Sequence, residues 1–289
     1  MTELALRLPR AGASGIGRAI RALREADKLL LVSAFVCGLI VLIAIIGPWI
    51  APHSANEGEV LSANLEPSGA HPFGTDSLGR DILSRVLVGA RLSLIGPALV
   101  ILACTVLGTT LAIGSAWFGG SVDKTVARVL DVLFAFPALL FAILAVAVLG
   151  EGFWAPVAAL SIAYTPYMAR IVRSLAVRER NLPYVEACRL SGFSAWRICA
   201  AHLLPNVWPI ILAQATIGFG GALVDLAAIS FLGLGVQPPS NEWGLMVADG
   251  RTALLNGWPQ EALAAGAMIV ITVVAFNVLG ERLAAREEP

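Results

Sequence analysis

Charged side chains are scarce in this chain. They make up 14% of its 289 residues, against about 25% in an ordinary soluble domain, and only two of the twenty basic residues are lysine. With 57% hydrophobic residues and a mean hydropathy of +0.80, the chain has more apolar surface than one water-soluble core can hide. A soluble enzyme and a disordered segment are thereby excluded. Acidic residues match basic ones at twenty each, so the basic surface that a nucleic-acid partner would need is missing too. Histidine is confined to His53, His71 and His202. None sits in an HExxH run or beside a serine at membrane depth, which argues against an intramembrane hydrolase. The four cysteines, Cys37, Cys104, Cys188 and Cys199, make neither a CxxC metal pattern nor a disulfide framework. A phosphate loop is also lacking: Lys124-Thr125 follows Asp123 where the motif requires glycine. No cofactor is therefore expected, and any ATP-driven work must come from a partner.

What the chain does have is long uncharged windows. A helix crossing the ~30 Å hydrocarbon core needs about 20 mostly apolar residues, because each contributes ~1.5 Å. Charge-free stretches run over 29–56, 92–122, 132–150, 152–169, 198–224 and 262–280. The spacing predicts an all-α polytopic membrane protein with six transmembrane helices. Lys and Arg stay on the cytoplasmic side of short loops. With the N-terminus inside, sixteen of the twenty fall there, and only Arg80, Arg85, Arg91 and Arg251 lie outside. Both termini are therefore expected in the cytoplasm. The basic residues ahead of the first window and its length make it an anchor and not a cleaved signal peptide. The chain divides into a cytoplasmic segment 1–28, a first span 29–50, an extracytoplasmic segment 51–91 with an amphipathic helix, a core of five spans over 92–283, and a tail 284–289. The core carries an inner loop at 176–204 and an outer loop at 231–260.

Local signals refine these pieces. In 71–94, Thr75 or Asp76 can cap a helix whose apolar side is Leu78, Ile82, Val86, Ala90 and Leu94, with Asp81 and Arg85 paired on its polar side. In the inner loop, Asn181 is a suitable N-cap, Pro183 fits a first turn, and Gly192 supplies a break. A short helix follows from this, with Ser194 capping a second that runs towards Pro205. The outer loop, rich in Gly, Pro and Trp, should form a second outer element. Prolines at 97, 137, 156, 166 and 209 favour kinks, and Gly218, Gly220 and Gly221 allow close helix approach.

Carboxylates inside a membrane cost roughly 2.5–3.5 kcal/mol at mid-helix. Asp131, near the inner end of the third span, and Asp225, near the outer end of the fifth, either face headgroups or line a polar pathway. Gln214 and Asn277 are further pathway candidates. From the residues alone, a secondary transporter using Asp131 or Asp225 as an ion relay stays open, as does a membrane scaffold without transport.

Three ordered stretches narrow the choice. Glu186-Ala187-Cys188, three residues, Gly192, nine more, then His202-Leu203-Leu204-Pro205-Asn206 resembles the EAA loop of ABC importer permeases, with Cys188 replacing the second alanine. Residues 71–94 (HPFGTDSLGRDILSRVLVGARLSL) and 230–239 (SFLGLGVQPP), followed by Trp243-Gly244 and Asp249-Gly250-Arg251, resemble the C-type permease of dipeptide, oligopeptide and nickel importers. The resemblance covers most of 71–283. It implies the type I permease fold in the bacterial plasma membrane and no catalytic residue in this chain. The implied partners are a homologous second permease, one or two cytoplasmic ATPases, an extracytoplasmic solute-binding protein and the lipid bilayer. It further implies ATPase docking through Glu186, Ala187, Cys188, Gly192, Leu204 and Pro205. One departure concerns the acidic residue that the family tends to carry four positions before Ser230. That position is Leu226 here, with Asp225 beside it, and one residue turns a helical side chain by about 100°.

Overall fold

The structure, a computed structural model, describes residues 28–286. The basic segment at 1–27 and the tail residues 287–289 lie outside the described residues. Among the described residues ten α-helices follow one another: α1 (Lys28–Ile50), α2 (Ile82–Phe118), α3 (Gly120–Phe134), α4 (Ala138–Leu149), α5 (Trp154–Arg180), α6 (Pro183–Leu190), α7 (Ala195–Ile198), α8 (Leu204–Phe231), α9 (Trp243–Leu255) and α10 (Gln260–Ala284). No strand occurs among the described residues. In hydrocarbon every backbone N–H must find its partner within its own segment, which is why runs rich in Leu, Ile, Val and Ala close into helices here despite their β-branched content.

Among the described residues four helical stretches are long and apolar enough to cross a membrane: Lys28–Ile50, Ile82–Phe118, Ala195–Phe231 and Gln260–Ala284. A fifth results if α3 and α4, bent by 82°, count as one. Pro137 stands at that bend as the residue before α4, where it cannot donate to a continuing helix. Pro97, Pro166 and Pro209, by contrast, lie inside helices that continue through them. The window 152–169 is part of α5, which does not qualify on composition. Its C-terminal part holds Arg170, Arg173, Arg178, Glu179 and Arg180. Its apolar stripe of Val157, Leu160, Met168, Ala169, Val172 and Ala176 is buried, chiefly against α2, so packing shelters it where composition does not.

The segment before α2 departs from expectation. No helix starts at Thr75 or Asp76. Asp81 is the N-cap, accepting the Ser84 N–H at 2.8 Å, and α2 then runs 37 residues without interruption. Gly79, at φ +75°, turns the chain just before that cap. Thr75 and Asp76 hold the loop instead. The Thr75 hydroxyl accepts the Leu65 N–H at 2.8 Å and donates to the Ser62 carbonyl, while Asp76 accepts the N–H groups of Leu78 and Arg80 at 2.8 and 2.9 Å. The expected Asp81–Arg85 pair does not form, because the cap already occupies Asp81 and Arg85 turns inward. Burial pushes the Asp81 carboxyl up, yet the hydrogen bonds of Ser84 and His71 outweigh it and hold the group below its usual range. Ile82, Val86, Ala90 and Leu94 are buried as the periodicity requires, whereas Leu78 is exposed.

The stretch 231–260 contains α9, about 20 Å long at helical rise. Its first residue, Trp243, is fully buried and donates its indole N–H to the Val86 carbonyl at 3.0 Å. Glu242 caps α9 by accepting the N–H groups of Gly244 and Leu245, each at 2.9 Å. This element braces α2, α8 and α10. At the other end of α2, Asn181 terminates α5 and does not start α6. Leu182 takes the N-cap place with no side-chain bond and Pro183 follows at the first turn. Ser194 caps α7 as expected, accepting the Arg197 N–H at 3.3 Å. α7 then passes through a π-helical turn, Cys199–Leu203, straight into α8.

Candidate functional site

The functional side chains fall at three levels along α2 and α5. At the start of α2, a charge network is sealed inside the protein. Arg85, with 0% of its side chain exposed, donates Nε to Asn241 Oδ1 at 2.9 Å, one terminal nitrogen to Asp76 at 2.6 Å and to Glu261, and the other to Asp249 at 3.2 Å. Arg80 donates to the same Asp76 oxygen at 2.6 Å, and Asn241 donates onward to Asn56 at 2.8 Å. Two cations thus face three carboxylates contributed by the 52–81 loop, α9 and α10. None of these was a candidate from sequence. The available signal was Glu261, a carboxylate directly abutting the 262–280 window.

The middle level runs along α5. Tyr164 donates its hydroxyl to Asp225 of α8 at 2.9 Å, and Tyr167 donates to Gln214 of α8 at 2.8 Å. Arg170 donates to Asp131 of α3 at 2.6 Å, and Arg173 grips Asp123 of α3 with two bonds of 2.6 and 2.5 Å. These four residues are three apart. Each step of three turns 300°, so the row winds back by about 60° per step, which explains why its upper half meets α8 and its lower half α3. Gly221 leaves the room this needs: a Cβ there would stand 2.9 Å from the Tyr164 hydroxyl. The 100° between Asp225 and its neighbour sends Leu226 towards Gly96 of α2 while Asp225 faces α5. Three of the expected pathway residues, Asp131, Gln214 and Asp225, therefore share one seam. Asn277 stands elsewhere, on α10 against Gly220. The two aspartates engage separate partners, and Asp131 is largely exposed.

The third level is the short helix α6. Val185 packs with Ala116, Ala176, Ile198 and Leu203 in a small buried cluster, so α6 is seated on the ends of α2, α5 and α8. Polar contacts lock that seat. Glu179, at the end of α5, accepts from the Tyr184 hydroxyl at 2.8 Å and from the Asn206 amide of α8 at 2.7 Å, and Asn206 also donates to the Tyr184 oxygen at 3.2 Å. Burial and the Glu179 carboxylate push the Tyr184 phenol up to about 12, so it remains a donor throughout the ordinary pH range. Arg189 lies over the Trp117 ring at 4.5 Å, and Arg180 donates to the Ala116 carbonyl. Gly192, at φ +80°, makes the turn out of α6 that a side chain would strain. Glu186 and Ala187 are exposed, and Cys188 is half-buried. Leu204 is half-buried and Pro205 exposed, both in the first turn of α8. Glu186 has no partner among the described residues, and Leu190 and Trp196 stand 84% and 81% exposed nearby. The arrangement is a rigid helix with one face bolted to three long helices and the other, acidic and apolar, presented outwards. Glu179 and Tyr184 were not legible as site residues from sequence.

Comparison with known proteins addresses the same chain. Residues 105–289 match the family described as binding-protein-dependent transport system inner membrane component, and residues 17–67 match the N-terminal TM domain of oligopeptide transport permease C. The dipeptide transport system permease protein DppC of Alkalihalophilus pseudofirmus is 37% identical over 257 residues, covering 89% of this chain and 84% of that protein. The glutathione transport system permease protein GsiD of Pectobacterium atrosepticum is 38% identical over 246 residues, 85% of this chain and 81% of that one. The protein of the same name from Escherichia coli O6:K15:H31 is 39% identical over 246 residues, with the same coverage.

Proposed function

The chain belongs to the binding-protein-dependent inner-membrane components of ABC transporters, a multi-pass permease subunit of the bacterial plasma membrane, and from that premise we propose that it forms half of the translocation pathway of an ATP-driven importer for di- or oligopeptides or a related small solute. Its relatives' names, dipeptide and glutathione permeases, support peptide-like solutes. Both termini and α6 lie on the cytoplasmic side, and the 52–81 loop with α9 on the outer side. A homologous second permease completes the pathway, one or two cytoplasmic ATPase subunits couple to this chain through α6, and an outer solute-binding protein delivers the cargo. ATP hydrolysis takes place in those partners.

The observation that carries this reading is the three-way bond among Glu179, Tyr184 and Asn206. A docked helix transmits force only if it cannot slide on its support. Here one carboxylate joins the end of α5, the lever and the start of α8, so displacement of α6 moves two membrane-embedded helices together. The seam along α5 then lies between the helices that this motion would shift, and Asp225 and Gln214 become its polar lining. The experiment is solute uptake in vesicles holding the full transporter. Uptake of a dipeptide is expected to stop with vanadate and to persist with an uncoupler. Uptake that collapses with the uncoupler and ignores vanadate would transfer the function to an ion relay at Asp225 or Asp131.

Asp225→Asn keeps an acceptor for the Tyr164 hydroxyl while removing the charge. Uptake in this variant is expected to fall about tenfold, equivalent to ~1.4 kcal/mol, with the chain's accumulation unchanged. Wild-type uptake rates in this variant would remove Asp225 from the pathway.

A further inference from the structure

Apart from the network, the seam and the lever, two imidazoles gather around the Asp81 cap of α2. We propose that His53, His71 and Asp81 form a binding site for a late first-row divalent metal ion, of which Zn2+ is the probe, at the end of α2 opposite the lever. The three residues come from separate pieces of chain. His53 lies three residues beyond α1, His71 in the loop, and Asp81 at the N-cap of α2. Their ligand-capable atoms all lie within 4.8 Å of one another. His71 Nδ1 is 2.9 Å from Asp81 Oδ1, His53 Nδ1 is 3.8 Å from Asp81 Oδ2, and the two imidazole centroids are 4.7 Å apart. Tetrahedral zinc, with bonds of about 2.0–2.2 Å, needs ligand atoms roughly 3.3–3.6 Å from each other. These two distances run to different oxygens of Asp81 and each departs from that spacing by a few tenths of an ångström; His53, 43% exposed, is free to adjust towards one shared ion.

The surroundings resemble a prepared site. His71 is fixed by reciprocal bonds with Ser68, its N–H donating to the serine hydroxyl at 3.2 Å and its carbonyl accepting the serine N–H at 2.8 Å. Ser84 donates both its N–H and its hydroxyl to Asp81 Oδ2, at 2.8 and 2.7 Å, and its oxygen accepts the His53 N–H at 3.0 Å. One serine therefore orients two of the three ligands, the role outer partners play in metal centres. A helix N-terminus by itself repels a cation. Here the cap carboxylate reverses that sign and already accepts the first-turn N–H of Ser84. Two imidazoles with one carboxylate suit Zn2+, Ni2+ or Cu2+, whereas Mg2+ and Ca2+ require oxygen ligands. Asp81 and His71 are 1% and 21% exposed, so solvent reaches the group mainly past His53, 43% exposed. A bound ion would staple the exit of α1 to the entry of α2, replacing the hydrogen bond between His71 Nδ1 and Asp81, with the neutral imidazole carrying its hydrogen on Nε2.

The test uses the full-length chain, purified with a tag that contains no histidine, stripped with a chelator and titrated. One equivalent of Zn2+ per chain is expected, with a rise in melting temperature that Mg2+ does not reproduce, and Co2+ should give the visible absorption of a four-coordinate site. His53→Ala, at the most exposed ligand, should melt like the wild type in chelator yet bind Zn2+ at least about tenfold more weakly. The double variant His53→Ala/His71→Ala should bind none at that stoichiometry. Folded wild-type protein that takes up no Zn2+, or equal uptake by wild type and the His53→Ala chain, would overturn the proposal.

Discussion

Arg85→Leu is expected to leave little folded chain in the membrane. Arg85 is the cation in contact with Asp76, Asp249 and Glu261 at once, and neither Arg85 nor Asp76 has any side-chain exposure. Leucine matches the apolar helix around it but strands Glu261, 2% exposed, and leaves the fully buried Asp76 to Arg80 alone. Removing one partner of a buried ion pair costs about 3–5 kcal/mol, a large part of the 5–15 kcal/mol that holds an ordinary domain together. Arg85→Lys should recover only part of the loss, because an ammonium cannot address Asn241, Asp76, Glu261 and Asp249 with the fixed fork that guanidinium offers. The measurement is the melting temperature of the detergent-solubilised chain, together with its accumulation in membranes. A contrast is built in: Arg170→Leu breaks a pair whose members are 46% and 65% exposed and should cost no more than about 1 kcal/mol. If Arg85→Leu melts within a degree of the wild type, the network does not hold the outer end together.

Glu186→Lys is expected to do the opposite, sparing stability and abolishing transport. Its side chain is exposed and unpartnered among the described residues, so stability should shift by no more than about 0.5 kcal/mol. On the proposed function, the same carboxylate faces the ATPase in the docked transporter. Truncating one partner of an interfacial charge pair costs about 2–5 kcal/mol, which is roughly 30-fold or more in affinity, and reversal adds repulsion. Uptake should therefore fall to background while melting and membrane accumulation stay at wild-type values. Gly192→Ala probes the same lever by geometry, since its φ of +80° costs a side chain about 1–2 kcal/mol. Wild-type uptake in Glu186→Lys would remove this residue from the docking surface.

How far the sequence carried is clearest at particular residues. The first helix was legible because lipid imposes a simple demand: the uncharged run after Lys28 became α1, with Ser33, Cys37, Ile40, Ala44 and Gly47 buried along one stripe. The start of α2 was misplaced because Asp76 and Asp81 are equally good caps in isolation. Their assignment depends on Gly79 and on Arg85 reaching back to Asp76, which spacing alone does not reveal. Asn181 was assigned to the wrong helix for a related reason, since α5 continues to Arg180 and leaves Asn181 closing it. The charge network was invisible because its members are spread from residue 56 to 261, and isolated charges in a sequence read as surface. Of the site residues, α6 and its glycine turn followed from Pro183 and Gly192, whereas the bolt formed by Glu179 and Tyr184 needed the fold to bring residues 179, 184 and 206 together.

The most direct test of the account is to purify the tagged chain from its host in mild detergent, as wild type and as Glu186→Lys, and to identify every subunit that comes with it. The account predicts a second permease with both and ATPase subunits with the wild type alone. A chain that transports solute as a homo-oligomer without any ATPase, or one whose Glu186→Lys form retains the ATPase in full, would contradict it.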